Sequence, residues 1–398
     1  KIFKNQPIIN LFNLKIGYSL NRDITPDVLR GFALLGILVV NIPFMALQSE
    51  EGARAEWVQG FANSAAAFLI FAIFQGKFYL IFSLLFGYSS GYIIKSDRAN
   101  RKRWFKRCLV LIAIGILHFT FLWHGDILVL YGIFGIILIP FLFRTDRTLK
   151  IWNRIILGFF SILLLTAAIL TYLSERFGNE ATELIPPSGL DQAMKGGTFF
   201  EAIELRVELW RLGILSGILL QGGFVFATFL LGLRLSRIKF LSTDFDSKQN
   251  TKMIRIGILI GLPIQLVAAC LFLRNEISSN SSEATYLLAT VISFVAAPLL
   301  SIGYVGYIRK LTAEAPKKVS WIAPAGKMSL TNYIAQSIAA SLIFGPWGLG
   351  LFQKLDLWLV FILAFLIWFT FTYLSSLWLQ KFQQGPLERL LGALTQRN

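Results

Sequence analysis

Ten times in its 398 residues this chain runs for 18 or more positions through mostly apolar side chains, with its charges gathered between the runs. At 1.5 Å per residue, a helix of about 20 such residues matches the hydrocarbon thickness of a bilayer. Only a helix closes every backbone hydrogen bond within one segment in lipid, so repeated runs of this kind predict an all-α, polytopic integral membrane protein. The expected spans are 28–48, 78–95, 105–122, 126–143, 153–173, 211–234, 253–273, 284–308, 327–345 and 357–379. Composition fits this reading. Hydrophobic residues make up 55% of the chain and charged residues 15%, whereas a soluble domain keeps about a quarter of its residues charged.

One further segment, 57–75, is apolar enough to span through Phe61, Phe68, Phe71 and Phe74, but Gln59, Asn63 and Ser64 weaken it. Loop charge separates the two readings, because Lys and Arg collect on the cytoplasmic side. With 57–75 interfacial or re-entrant, about ten spans leave both termini inside. The inside segments then hold 30 of the 38 Lys and Arg residues, all but Arg54, Lys77, Arg176, Lys195, Arg206, Arg211, Arg274 and Lys354. If 57–75 also spans, the first segment starts outside and its five basic residues change sides. The ten-span arrangement fits better.

The organisation expected is a cytoplasmic segment 1–27, one transmembrane unit 28–379 and a cytoplasmic tail 380–398. The long exterior loop 174–210 carries Pro186 and Pro187, and its 199–210 stretch has apolar residues at helical spacing. That stretch reads either as a helix along the membrane surface or as a solvated linker. A net charge of +16 follows from the basic inner loops and calls for no nucleic-acid partner. Cys108 and Cys270 both fall in apolar runs and suggest no pairing. Residues 1–25 lack the apolar core and cleavage site of a signal peptide. No internal repeat of the kind common in secondary transporters is visible.

An ionisable group in hydrocarbon is costly unless paired or hydrated, so polar residues inside the spans are the candidates for function. Asp27 and Arg30 share one helix face at the entrance of the first span, followed by Asn41. Their ordinary role would be a helix-end acid and a snorkelling arginine. Gln75, Gly76 and Lys77 precede the second span, where Lys77 is either an interfacial anchor or a fixed charge at a cavity mouth. His118 and His124, the only histidines, lie with Gly115 and Asp126 around a short turn. A histidine exchanges protons near neutrality, and an adjacent carboxylate orients it as in hydrolase triads. The competing role is a helix-bonding His118 with Asp126 as a helix cap. Zinc would need further ligands that the turn does not offer, so no metal is expected. Finally, Lys327, Ser329, Thr331, Asn332, Tyr333, Gln336 and Ser337 form a polar stripe that must face other helices or a water-filled cavity. There is no P-loop, G-x-S-x-G elbow or Cys-based metal signature.

Taken in order, these pieces resemble the YeiB family, bacterial membrane proteins built on a domain of unknown function. The residues that carry the likeness are Asp27, Arg30, Gly31, Gly36 and Asn41, then Gly76, Lys77 and Phe78 with Leu85, Phe86 and Gly87. They continue with Gly115 to His118, Gly125 to Leu128, Gly326 to Tyr333, and Gly385 to Glu388. Where the family usually has Trp after that glutamate, this chain has Arg389. The family is similar to a wider transmembrane acyltransferase group that includes heparan-glucosaminide acetyltransferases and integral-membrane sugar O-acyltransferases.

That resemblance implies a location in the bacterial inner membrane. It also implies transfer of an acyl group from a cytoplasmic acyl-CoA, such as acetyl-CoA, to a glycan or lipid acceptor outside. His118, assisted by His124 or Asp126, would be the base. Asp27, Arg30, Asn41 and Lys327 would face the donor, and Lys77, Ser329, Asn332, Tyr333 and Gln336 would line a cavity. One departure matters. The sugar O-acyltransferases place a catalytic histidine eleven residues after the arginine of their first helix, and here that position is Asn41, which cannot act as a base. Arg107 also stands eleven residues before His118, about 16 Å along one helix. The alternatives are a transporter or flippase for a lipid or small polar solute, and a non-catalytic assembly protein.

Overall fold

The computed structural model describes residues 23–177, 189–242 and 247–395, together with one short antiparallel pairing of Ile8–Ile9 with Lys15–Ile16. Pro186 and Pro187 lie outside the described residues. Apart from that pairing, the described regular elements are helical. The first helix, α1 (Thr25–Ala46), opens with Pro26 in its first turn, where a missing N–H costs nothing, and with Asp27 at its positive end. α2 (Phe61–Leu69) runs into a π turn, Ile70–Phe74, and α3 (Lys77–Ile94) restarts beyond Gln75 and Gly76. Gly76 takes φ +82°, a conformation open to glycine, and this breaks the helix.

The chain continues through α4 (Arg101–Phe121), α5 (Leu128–Ile137), α6 (Asp146–Arg176), α7 (Leu190–Gly196) and α8 (Phe199–Gly217). A π turn joins α8 to α9 (Gly223–Arg237), and another joins α10 (Ser247–Ile256) to α11 (Leu262–Glu276). Then come α12 (Glu283–Glu314), α13 (Pro316–Val319), α14 (Ala323–Lys327), α15 (Ser329–Phe344), α16 (Leu357–Lys381) and α17 (Pro386–Thr395).

Among the described residues, eight helical stretches are long and apolar enough to cross a membrane: 25–46, 61–94, 98–121, 146–176, 218–237, 247–276, 283–314 and 357–381. The protein is therefore a multi-pass membrane protein. The ten expected spans differ from these eight for local reasons. Expected span 126–143 shrinks to the ten residues of α5, followed by a 3-10 turn at Ile139–Phe141 that contains Pro140. Expected span 327–345 is kinked at Met328 and leaves 16 residues in α15. Segment 57–75 is not a separate element: it joins the next span as the single broken stretch 61–94.

Close helix approach, rather than water exclusion, holds helices together in lipid. At Gly326 a Cβ would collide with the carbonyl oxygen of Asp27, so α14 lies directly against the start of α1. Trp368 on α16 donates to the Gly31 carbonyl oxygen at 2.8 Å and ties a third helix to that crossing. α4 packs against α5, α8 and α17, and α15 against α1, α16 and α17. α6 stands at the periphery, with Ile155, Phe159, Ile162 and Leu170 exposed on its outer face.

Candidate functional site

Between these helices lies a cavity of about 230 Å³. Its walls come from α1, α3, α4, α5, α14, α15 and α17. Charged groups line part of it: Asp27, Arg30, Arg107, Lys327 and Glu388. Ile37, Phe82, Leu85, Phe86, Leu111 and Leu128 supply apolar wall, and Tyr131 and Tyr333 add phenol rings.

The acids in this wall are committed. Asp27 Oδ1 accepts from Arg30 at 2.9 Å. Glu388 reaches from α17 to the first turn of α15, where Oε1 accepts the Leu330 N–H at 2.7 Å and the Thr331 N–H at 3.2 Å. Its Oε2 accepts from the Thr331 hydroxyl at 2.6 Å. A carboxylate there satisfies open backbone donors and meets the positive end of the helix. Arg107 is different: its buried Nε makes no hydrogen bond among the described residues. With three cations against two engaged carboxylates, the charged part of the cavity favours an anion.

Beside Tyr333 stands a buried polar relay. His118, near the end of α4, has its Nδ1 2.9 Å from Oδ2 of Asp126, and both side chains are fully buried. Neither of those two atoms forms an aligned hydrogen bond with any described residue, so what joins them is close approach. Oδ1 of Asp126 accepts the Val129 N–H at 2.8 Å, so the same carboxylate caps α5. On the other side of the ring, Nε2 of His118 lies 2.9 Å from the hydroxyl of Ser337 on α15. In the tautomer with its proton on Nδ1, toward the carboxylate, Nε2 accepts from Ser337. Gly115, one turn before His118, makes room: a Cβ there would lie 2.6 Å from Oδ1 of Asp126.

His118 itself is not in the cavity wall. Tyr333 is, and its ring centroid lies 4.9 Å from that of the imidazole. The Tyr333 hydroxyl is buried, with its oxygen against the Ile127 backbone. Tyr333 is thus the contact between the cavity and the relay.

The other expected site residues scatter. Asp27, Arg30 and Lys327 meet in the cavity wall with Ser329 and Tyr333, whereas Asn41, Lys77, Asn332 and Gln336 do not line it. Lys77 is fully buried, and its Nζ donates to the Phe71 carbonyl oxygen at 2.8 Å and to the Ser293 hydroxyl at 3.4 Å. The break at Gly76 interrupts the helix beyond Phe71, and the lysine covers that carbonyl. Asn332 bonds the Ala325 carbonyl oxygen at 3.1 Å and the Ser375 hydroxyl at 2.8 Å, joining α14, α15 and α16. Gln336 is buried and Asn41 half-buried on α1.

His124 packs on Trp123, with ring centroids 5.8 Å apart. Burial, and then the positive charge of Arg206, push its pKa down to about 4, against a smaller opposing effect of a backbone hydrogen bond with Ser49. Arg206, on α8, donates to the Phe121 carbonyl oxygen at 3.2 Å and stacks over Trp347 at 4.9 Å. Burial lowers its pKa to about 10. His124 therefore belongs to the packing of α8 over the end of α4. Ser337 and Glu388 were visible in the sequence only as parts of a polar stripe and a tail motif.

Residues 235–398 match the family model described as "Protein of unknown function (DUF418)". The chain is 29% identical to "Uncharacterized protein YeiB" of Escherichia coli (strain K12), over 95% of this chain and 97% of that protein. It is 27% identical to "Uncharacterized protein YxaH" of Bacillus subtilis (strain 168), over 93% of each. The family match contains Lys327, Tyr333, Ser337 and Glu388, while Arg30, Arg107, His118 and Asp126 precede it; the full-length relatives cover both sets. The chain is thus similar to YeiB and YxaH along nearly its whole length, and its residues 235–398 carry the DUF418 match.

Proposed function

We propose that this protein is a transmembrane acyltransferase that takes an acyl group from acyl-CoA and delivers it to a glycan or lipid acceptor on the opposite side of the membrane. The observation that carries this reading is the cavity with Arg30, Arg107 and Lys327 in its wall and Tyr333 beside the His118–Asp126 pair. Guanidinium and ammonium groups bind the phosphates of such a donor. The apolar wall suits an acyl or pantetheine arm, with the phosphates against the basic residues. In this reading His118 takes the proton of an acceptor hydroxyl or amine, and Asp126 holds the ring and stabilises its charged form. Loop charge supports a basic end on the cytoplasmic side, with both termini there, in a bacterial inner membrane.

The test is turnover of acetyl-CoA and longer acyl-CoA by the purified protein. His118→Ala abolishes it without loss of the folded state, and Arg107→Ala or Lys327→Ala raises the KM for donor. Failure of the wild-type protein to bind or consume any acyl-CoA overturns the reading. A second reading, a transporter or flippase of a lipid or small polar solute, is supported by the mixed charged and apolar wall of the cavity, to which His118 does not contribute. It predicts solute counterflow in liposomes with no chemical change.

A further inference from the structure

We propose that Ser337 is a nucleophile that carries the acyl group as a covalent ester between donor and acceptor. The assignment rests on the acyltransferase reading for its substrate, and on the Ser337–His118–Asp126 geometry for its chemistry. The two 2.9 Å separations place the serine hydroxyl, the imidazole and the carboxylate in series. Asp126 faces Nδ1, and Nε2 faces the Ser337 hydroxyl, the position a general base takes beside a nucleophile. A serine at its ordinary pKa is a weak nucleophile, and a base oriented by a third group is what activates it. Ser337 also reaches the Tyr333 carbonyl oxygen, but at 3.3 Å, longer than its contact with His118.

Position supports the same conclusion. Ser337 follows Tyr333 by one helical turn, about 6 Å along α15, and Tyr333 lines the cavity. Ser337 is buried behind the cavity wall, so a thioester reaches it when the Tyr333 ring moves aside. The Tyr333 hydroxyl, buried with its oxygen against the Ile127 backbone, has its own proton to give to the oxygen of a tetrahedral intermediate.

The step balances without an outside reactant. The Ser337 oxygen bonds to the thioester carbonyl carbon as its proton passes to Nε2 of His118. The carbon–sulfur bond breaks, and the thiolate leaves with that proton as free CoA thiol. An acceptor hydroxyl then gives its proton to Nε2 and attacks the acyl carbon. The carbon–oxygen bond to Ser337 breaks, and the serine recovers the proton.

The experiment uses the full chain in detergent or nanodiscs with a decyl fluorophosphonate, which reacts with activated serines whatever the natural donor. A mass gain mapped by peptide analysis to Ser337 is expected in the wild-type protein, with a rate about 100-fold lower in His118→Ala. A parallel incubation with radiolabelled acetyl-CoA is expected to leave denaturation-stable label on the same peptide. No adduct, or an adduct on another residue, overturns the assignment. So does Ser337→Ala turning over acetyl-CoA at the wild-type rate, which leaves direct transfer and the acyltransferase reading standing. Fluorophosphonate labelling of Ser337 without consumption of any acyl-CoA upholds the nucleophile and overturns the donor. Because the wild-type adduct is mapped directly, a variant that fails to fold does not decide the outcome.

Discussion

Oδ2 of Asp126 stands 2.9 Å from Nδ1 of His118, while Oδ1 of the same carboxylate caps α5 through the Val129 N–H at 2.8 Å. One side chain therefore fixes both the imidazole and the short helix that follows it. The two tasks separate by mutation. Asp126→Asn keeps an oxygen for the cap but presents an uncharged group to the ring. It is expected to lower turnover by roughly 100-fold or more with a small change in melting temperature. Asp126→Ala removes the cap as well and should cost about 1 kcal/mol more in stability. Paired turnover and thermal-unfolding measurements check both.

Gly115 sets the approach of α4 to this carboxylate. In Gly115→Ala the new Cβ would lie 2.6 Å from Oδ1 of Asp126 and 2.7 Å from the Val129 nitrogen. α5 must shift or the carboxylate must turn away. The expected loss is about 1–3 kcal/mol of stability, as in overpacked cores, together with loss of fluorophosphonate labelling at Ser337.

Glu388 holds the first turn of α15. Glu388→Ala removes three hydrogen bonds to Leu330 and Thr331 and should cost about 1–2 kcal/mol. Glu388→Gln retains acceptor oxygen and should lose less. A thermal melt of the two variants ranks them; equal melting temperatures would remove the capping role.

Acid sensitivity should trace partly to His124. Its folded-state pKa, about 4, lies below the ordinary value of 6.5, so the unfolded chain binds more protons between those limits. Stability from this residue is complete above about pH 6.5 and is lost as pH falls toward 4, by at most about 3 kcal/mol before discounting for partial solvent access. His124→Gln should flatten the melting-temperature profile across that window and leave it unchanged above pH 7. Identical acid profiles in the two proteins would contradict this.

The helical membrane fold was legible because apolar run length is a direct consequence of bilayer thickness. Its interruptions were harder to read. Pro140 shortens one expected span, while the Met328 kink and the Gly76 break depend on how the chain turns within an apolar run. The charges of Asp27, Arg30 and Lys327 could be placed at span ends from the sequence, and they do share one cavity. The pairing of His118 with Ser337 joins residues 219 positions apart and exists only through helix packing. Lys77 reads as an interfacial anchor or a charge at a cavity mouth, because sequence cannot show the interrupted turn that leaves the Phe71 carbonyl for it.

The reach of Glu388 to Leu330, 58 positions earlier, has a consequence for how the protein is made. The segment bearing Ser337 leaves the ribosome before its capping acid has been synthesised. Its first turn therefore starts life with open N–H groups, and the relay acquires its final support only after α17 has emerged and docked. A nascent chain halted between these two points would hold His118, Asp126 and Ser337 without the clamp that sets α15.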